Sequence, residues 1–256
     1  MPRRFTKAFL LAAGLGTRLR PLTDKVPKCL IPIDGKPLLN IWLEICERLD
    51  IREVLINTHH LPAQVRAWAG NQHSAVKVNL VHEDTLQGSA GTVAANRDFV
   101  RDVDDFWVFY ADNLVDADLH SLQSFHCQHG GVLTLGLFRA LKPRECGIVA
   151  LDESGRVTSF EEKPTKPKSN LANAGIYIIR QAIFDTLSPG VFADFGKDVM
   201  PGLVGKMWGF VLDGYILDVG TPESYQKALE DWPVLSYGRG EDNLRSRRRP
   251  ASDISK

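Results

Sequence analysis

Short all-apolar runs alternate with amphipathic helical segments, and the first run ends in a loop carrying two glycines. Together these observations predict an α/β fold: a Rossmann-like, doubly wound, mostly parallel sheet with helices on both faces. After residue 146 the rhythm changes to closely spaced strands. That change predicts a small inserted β-hairpin region over the same sheet, not a second domain.

Each element follows from a local pattern. Residues 8–12 (AFLLA) are apolar throughout, as a strand buried on both faces must be. Leu38, Ile41, Trp42, Ile45 and Leu49 recur at helical spacing. "EVLINT" at 53–58 is the second strand, and "PAQVRAWAG" a short helix with Pro62 at its start. "VKVNLVHE" (76–83) alternates as a strand, "GTVAANRDF" is helical, and "FWVFYADN" (106–113) is a fourth buried strand. Over 118–130 a helix is expected, capped by Asp118 and stopped at Gly130. "GIVALDESGRVTSFEEKP" reads as a hairpin turning at Glu153-Ser154-Gly155, and "NAGIYIIR" as one more strand. "FVLDGYILDVG" supplies two strands, and "TPESYQKALEDW" a closing helix with Thr221 as cap and Pro222 at its first position. The expected domain is 1–236. Residues 237–256, polar and rich in Arg and Ser, are expected to form a disordered basic tail.

Composition narrows the class. Lys and Arg total 31, as do Asp and Glu, so a net charge of zero offers no footprint for nucleic acid or an anionic membrane. No apolar run approaches a bilayer span, and the expected location is cytoplasmic. Cys29, Cys46, Cys127 and Cys146 form no C-x-x-C pair and are expected to be reduced, with Cys46 and Cys127 on helices and Cys29 and Cys146 as small filler residues. His59-His60 reads as polar loop, and His126 with His129 as a helix-surface pair lacking a third metal ligand.

The loop after the first strand, "LAAGLGTRLRPLTDKVPKCLIPI", demands more than a turn. In an open parallel sheet ligands sit beyond the carboxyl ends of the strands. Gly14 and Gly16 there let backbone amides approach phosphate oxygens. The spacing is neither the dinucleotide fingerprint nor a P-loop. Instead the loop delivers Arg18, and then Lys28, across a segment stiffened by Pro21 and Pro27. A structural loop with solvated cations would account for this stretch almost as well.

This loop with "GKPLL", then "EDTLQGSAGT", "YADN", "FEEKP", "NAGIY" and "DVGTP" in that order, resembles the sugar-1-phosphate nucleotidylyltransferases over residues 8–232. The resemblance is closest to the mannose-1-phosphate guanylyltransferase-like members. It implies transfer of a nucleoside monophosphate from an NTP to a sugar 1-phosphate, giving an NDP-sugar and pyrophosphate. By that pattern Leu11, Ala12, Ala13, Gly14, Leu15, Gly16 and Thr17 would bind the nucleotide. Arg18 would neutralise the leaving pyrophosphate, and Lys28 would lie near the α-phosphate. Asp112 and Asp218 would hold Mg²⁺, although Ala111 stands where the family usually has glycine. Glu83 and Gly88 would meet the base. Gly147, Glu162, Lys163, Asn173 and Gly175 would form the sugar pocket, with tight packing an equal explanation for Gly147 and Gly175. The segment "EDTLQGSAGT" follows the guanylyltransferase outline better than the thymidylyltransferase one, so GTP and mannose 1-phosphate are favoured. The alternatives are dTTP or UTP with glucose, heptose or amino-sugar 1-phosphates, and a homo-oligomer is left open. A metal-dependent glycosyltransferase would use Asp116-Ala117-Asp118 but leaves Arg18 and Lys28 unexplained. A non-catalytic nucleotide-sugar sensor would not need all four charged groups. A nicotinamide-dependent reductase lacks its glycine signature.

Overall fold

In the computed structural model, residues 5–246 are described. The chain enters through β1 (Lys7–Leu11), whose Ala8, Phe9 and Leu10 are fully buried. A long loop of short helical turns follows, then the two-residue strands β2 (Pro32–Ile33) and β3 (Lys36–Pro37) and helix α1 (Leu38–Arg48). Next come β4 (Glu53–Thr58), α2 (Pro62–Gly70), β5 (Lys77–His82), α3 (Ser89–Ala95), β6 (Asp105–Tyr110) and β7 (Asn113–Ala117). Helix α4 (Leu119–His129) is capped by the Asp118 carboxylate on Ser121 N and ends at Gly130 in the left-handed region, as its sequence predicts. The second half contains β8 (Leu133–Arg139), β9 (Gly147–Leu151), β10 (Val157–Glu162), β11 (Leu171–Arg180), a short α5 (Met200–Leu203), β12 (Trp208–Val211) and β13 (Gly214–Asp218). The last helix, α6, is Pro222–Ser246, with Thr221 Oγ1 accepting from Ser224 N.

The main sheet has nine strands and the order β10-β9-β11-β6-β1-β4-β5, with β8 pairing β11 and β12. Strands β6, β1, β4 and β5 are parallel, while β11 runs antiparallel to β6 and carries the hairpin β9–β10 at its side. Alternation along each strand splits the core into two layers. Leu10, Ile56, Trp107 and Phe109 face α1, α4 and α6, and Trp42 of α1 stacks on Phe109 at 4.7 Å. Phe9, Leu55, Phe106 and Val108 face α3 and the helical turns of 181–203. The parallel half thus carries helices on both faces.

Four differences from the sequence reading have physical causes. The fourth strand does not continue to residue 113: the chain turns at Ala111-Asp112, and β7 leaves the sheet to pair with β13. Strand β8 was not expected, although "LTLGLFR" after two glycines is an apolar run of strand length. His126 is not on a helix surface but fully buried. Over 237–246 the backbone continues α6 where a disordered tail is expected, because extending a formed helix needs no second nucleus. The remainder of that tail, 247–256, lies outside the described residues. All four cysteines are free, and burial pushes the Cys29 thiol up to about 12, which suits a filler residue.

At the end of the sheet where β6 begins, a buried polar cluster locks four elements together. Asp105 Oδ1 accepts from Arg180 Nε at 3.1 Å and lies 3.3 Å from His126 Nε2. His126 Nδ1 meets Thr134 Oγ1 at 2.7 Å. Burial alone would raise the Asp105 carboxyl, but His126 and Arg180 outweigh it and hold it below the ordinary range. Asp105→Asn is expected to cost about 3 kcal/mol near neutral pH, measured by denaturant unfolding. A depressed carboxyl contributes fully above its unfolded value and loses that contribution as pH falls through the folded one. The gap between wild type and variant therefore narrows below about pH 4; a gap that widens in acid refutes this account.

Candidate active site

Four charged residues from distant parts of the chain meet at the carboxyl ends of β1 and β6. Lys28 is only 7% exposed, so its stem is packed and its ammonium direction is fixed. Its Nζ lies 2.6 Å from Asp112 Oδ2 and 3.5 Å from Asp218 Oδ1. Arg18 Nη2 is 3.8 Å from Asp218 Oδ2 and more open to solvent. The two carboxylates are brought together by the β7–β13 ribbon, whose register sets Asn113 opposite Asp218. Val219 N donates to Asp112 O at 3.0 Å and closes the arrangement. Burial, and then the neighbouring Asp112 charge, raise the Asp218 carboxyl against the pull of Lys28 and Arg18. Ala111 is fully buried and does not adopt a positive φ, so the departure from glycine is accommodated.

The glycine loop forms the next wall. Gly16 adopts φ +63°, and a Cβ there would stand 2.8 Å from Thr23 Cγ2. Thr23 Oγ1 donates to Gly16 O at 2.8 Å, and Ala12 N donates to Asn57 Oδ1 at 2.7 Å. Between these anchors Gly14 has open space where a Cβ would be.

Two residues expected at a base behave differently. Glu83 is 2% exposed, and both its oxygens are engaged. Oε1 accepts from Asn57 Nδ2 at 2.9 Å and Thr92 Oγ1 at 2.6 Å, and Oε2 from Gln87 N at 3.1 Å. Such a carboxylate is built into the wall by three hydrogen bonds. Gly88, at φ +77°, leaves no open space either: a Cβ would run into the Ala193 carbonyl. The glycine is required because 193 docks there, with Ala193 O accepting from Ala90 N and Gly91 N.

A cleft of about 320 Å³ opens beside the carboxylates. It is lined by all five residues expected for a sugar pocket, Gly147, Glu162, Lys163, Asn173 and Gly175, together with Asp112 and Asp218. Lys163 holds φ +47°, uncommon for a side-chain-bearing residue, and its N–H donates to Cys146 O at 3.0 Å. Asn173 Oδ1 accepts from Gly175 N at 3.0 Å and fixes the irregularity in β11. Burial raises the Glu162 carboxyl, with Asp194 adding to the rise and the lysines 163 and 197 opposing it. Asp194, Gly196 and Lys197 also line the cleft and were missed by sequence reasoning. The signal was present in "ADFGKD", since Asp194 caps its own turn by accepting from Gly196 N and Lys197 N. The same carboxylate accepts from Ser89 Oγ at 2.9 Å, tying the cleft to the start of α3. The D-x-D pair is elsewhere: Asp118 caps α4, and neither Asp116 nor Asp118 lines this cleft.

A family model described as nucleotidyl transferase matches residues 7–233. The mannose-1-phosphate guanylyltransferase of Mycobacterium tuberculosis is 33% identical over 246 residues, covering 91% of this chain and 68% of that protein. The UTP–glucose-1-phosphate uridylyltransferase of Synechocystis is 31% identical over 243 residues, covering 87% of this chain and 62% of that protein. The chain therefore spans about two thirds of the length of these curated relatives. Among solved structures, HddC from Yersinia pseudotuberculosis, also solved complexed with GMP-PN, matches with a TM-score of 0.74 at 24% identity. That match covers 89% of this chain and 99% of the other, and at such identity it speaks for the fold.

The glycines of the cleft separate packing from ligand space. The atoms nearest a Cβ on Gly147 would be Glu162 Oε2 at 2.7 Å and the Phe160 ring edge at 3.0 Å, whereas one on Gly175 would press Asn113 Nδ2 and Tyr110 at 2.9 Å from φ +65°. Gly175→Ala is expected to destabilise by at least about 1–2 kcal/mol from its backbone alone. Gly147→Ala should displace Glu162 with a much smaller loss. Thermal unfolding of the two variants checks the ranking, and equal losses contradict it.

Proposed function

This chain belongs to the nucleotidyl transferase family, and on that premise we propose that it transfers a nucleoside monophosphate from an NTP to a sugar 1-phosphate, releasing pyrophosphate. GTP and mannose 1-phosphate are the favoured substrates, supported by the guanylyltransferase relative. UTP or dTTP with glucose, heptose or amino-sugar 1-phosphates is the alternative, which the uridylyltransferase relative keeps in view. The observation that carries the proposal is the Lys28 ammonium held between Asp112 and Asp218, two carboxylates that line the cleft. A sensor has no use for such a centre, and a glycosyltransferase gives no reason for Lys28 or Arg18.

Bringing two phosphates together is a problem of like charge. Amides of residues 11–17 lie along the polyphosphate, with Arg18 at the departing pyrophosphate and Lys28 at the α-phosphate. Lys163 meets the acceptor phosphate, and Glu162 accepts from ring hydroxyls. Asn173, with glycines 147 and 175, shapes the space around the ring. A sugar phosphate has a second pKa of about 6 and is largely dianionic at pH 7, so it attacks without a general base. No histidine lines the cleft, consistent with that chemistry.

A divalent cation fits the carboxylate pair. Both groups are hard oxygen donors, they converge where an ammonium already stands, and added positive charge relieves the raised Asp218 carboxyl. Asp112 and Asp218 would hold Mg²⁺, which when bound supplies positive charge to the phosphates. Among the described residues no third carboxylate, His or Cys joins them, so the remaining ligands of such an ion would come from phosphates and water. No helix of the described chain is long and apolar enough to cross a membrane, and we place the reaction in the cytoplasm.

Pyrophosphate release over GTP, dTTP and UTP, each with a panel of sugar 1-phosphates, tests the reaction and its substrates together. Arg18→Ala and Asp218→Asn are expected to lower turnover by about 100-fold or more while the protein stays folded. The wild-type rate should be nearly flat above about pH 7, because the acceptor is already ionised. Full activity in both variants, or a bell centred near a histidine pKa, removes the proposal.

A further inference from the structure

The carboxyl end of β4 carries a buried polar network that the scheme above does not use. Asn57 is 5% exposed, on the strand between β1 and β5. Its Oδ1 accepts from Ala12 N, the amide where the glycine loop leaves β1, at 2.7 Å. Its Nδ2 donates to Glu83 Oε1 at 2.9 Å and to Thr92 Oγ1 at 3.1 Å. One amide therefore joins three segments: the glycine loop, the residues after β5, and α3.

Glu83 decides which way that amide faces. Three donors converge on its carboxylate, from Asn57, Thr92 and Gln87, so it acts as an acceptor. A reversed Asn57 would turn its oxygen toward this acceptor and its NH₂ toward the Ala12 N–H, two repulsions in a buried site. The loop that follows β4 adds ties in the same sense. His59 Nδ1 lies 2.7 Å from Glu83 O, and His60 Nε2 lies 2.7 Å from Thr23 O, whose hydroxyl holds Gly16.

We propose that Asn57 is a positioning residue for the nucleotide. Oriented by Glu83, it sets the separation between the phosphate-side loop at residue 12 and the opposite loop at residues 83–92. The inference rests on the reading of residues 11–17 as the nucleotide wall. Asn57 touches no substrate; it acts through the Ala12 amide and through Glu83.

The test measures nucleotide affinity and steady-state kinetics on the whole chain, with GTP and Mg²⁺ as probe, and dTTP or UTP if GTP does not bind. Asn57→Ala is expected to weaken nucleotide binding about tenfold and to raise the nucleotide KM by a similar factor. The KM for the sugar 1-phosphate should stay within about twofold, a split that general loosening of the fold would not produce. If Asn57→Ala does not fold, Asn57→Ser keeps a polar atom at the site and carries the same comparison. Unchanged nucleotide affinity in a folded variant overturns the inference, as does a parallel rise in both KM values. If the unaltered protein binds no nucleotide, the functional reading itself fails and the inference with it.

Discussion

The organising constraint is repulsion between Asp112 and Asp218, two carboxylates that the fold forces to share one corner. Like charges this close need a cation, and Lys28 supplies one from a position too packed to swing away. Much of the local architecture answers that need. The chain leaves the central sheet at Ala111, runs as β7 and pairs with β13, because only this ribbon brings residue 218 back to residue 112. Prolines 21 and 27 bracket the path that carries Lys28 to the same point.

The segments expected to meet the nucleotide and the sugar are less separate than their places in the sequence suggest. Asp194 caps its own turn and, with Gly196 and Lys197, lines the cleft, while Ala193 and Asp194 dock on the start of α3. Phe195 N donates to Ser89 Oγ at 2.9 Å, so the hydroxyl is both donor and acceptor in that joint. The glycines at 88 and 91 follow from the joint. A Cβ on Gly91 would stand 2.9 Å from Val191 O, so neither position tolerates a side chain at that distance.

Most of the parallel half was legible because burial on both faces leaves an unambiguous apolar run, as in "FWVFY". Motif order also brought Arg18, Lys28, Asp112 and Asp218 into one hypothesis, and grouped five residues that line one cleft. What stayed hidden was pairing at long range. Nothing near Asn57 in sequence announces Ala12 or Glu83 as partners, and a buried glutamate looks the same in the sequence as an exposed one. His126 was misplaced for the same reason, since its partners Asp105 and Thr134 lie on other elements. Strand β8 was a different failure: its apolar run was readable but lay between stronger signals.

The joint between residues 87–91 and 193–197 has an evolutionary consequence. A descendant that altered residues 87–91 would drag along residues 193–197, and with them one wall of the cleft. Substitutions in the two segments should therefore drift as a linked pair across lineages, in steps that change both at once.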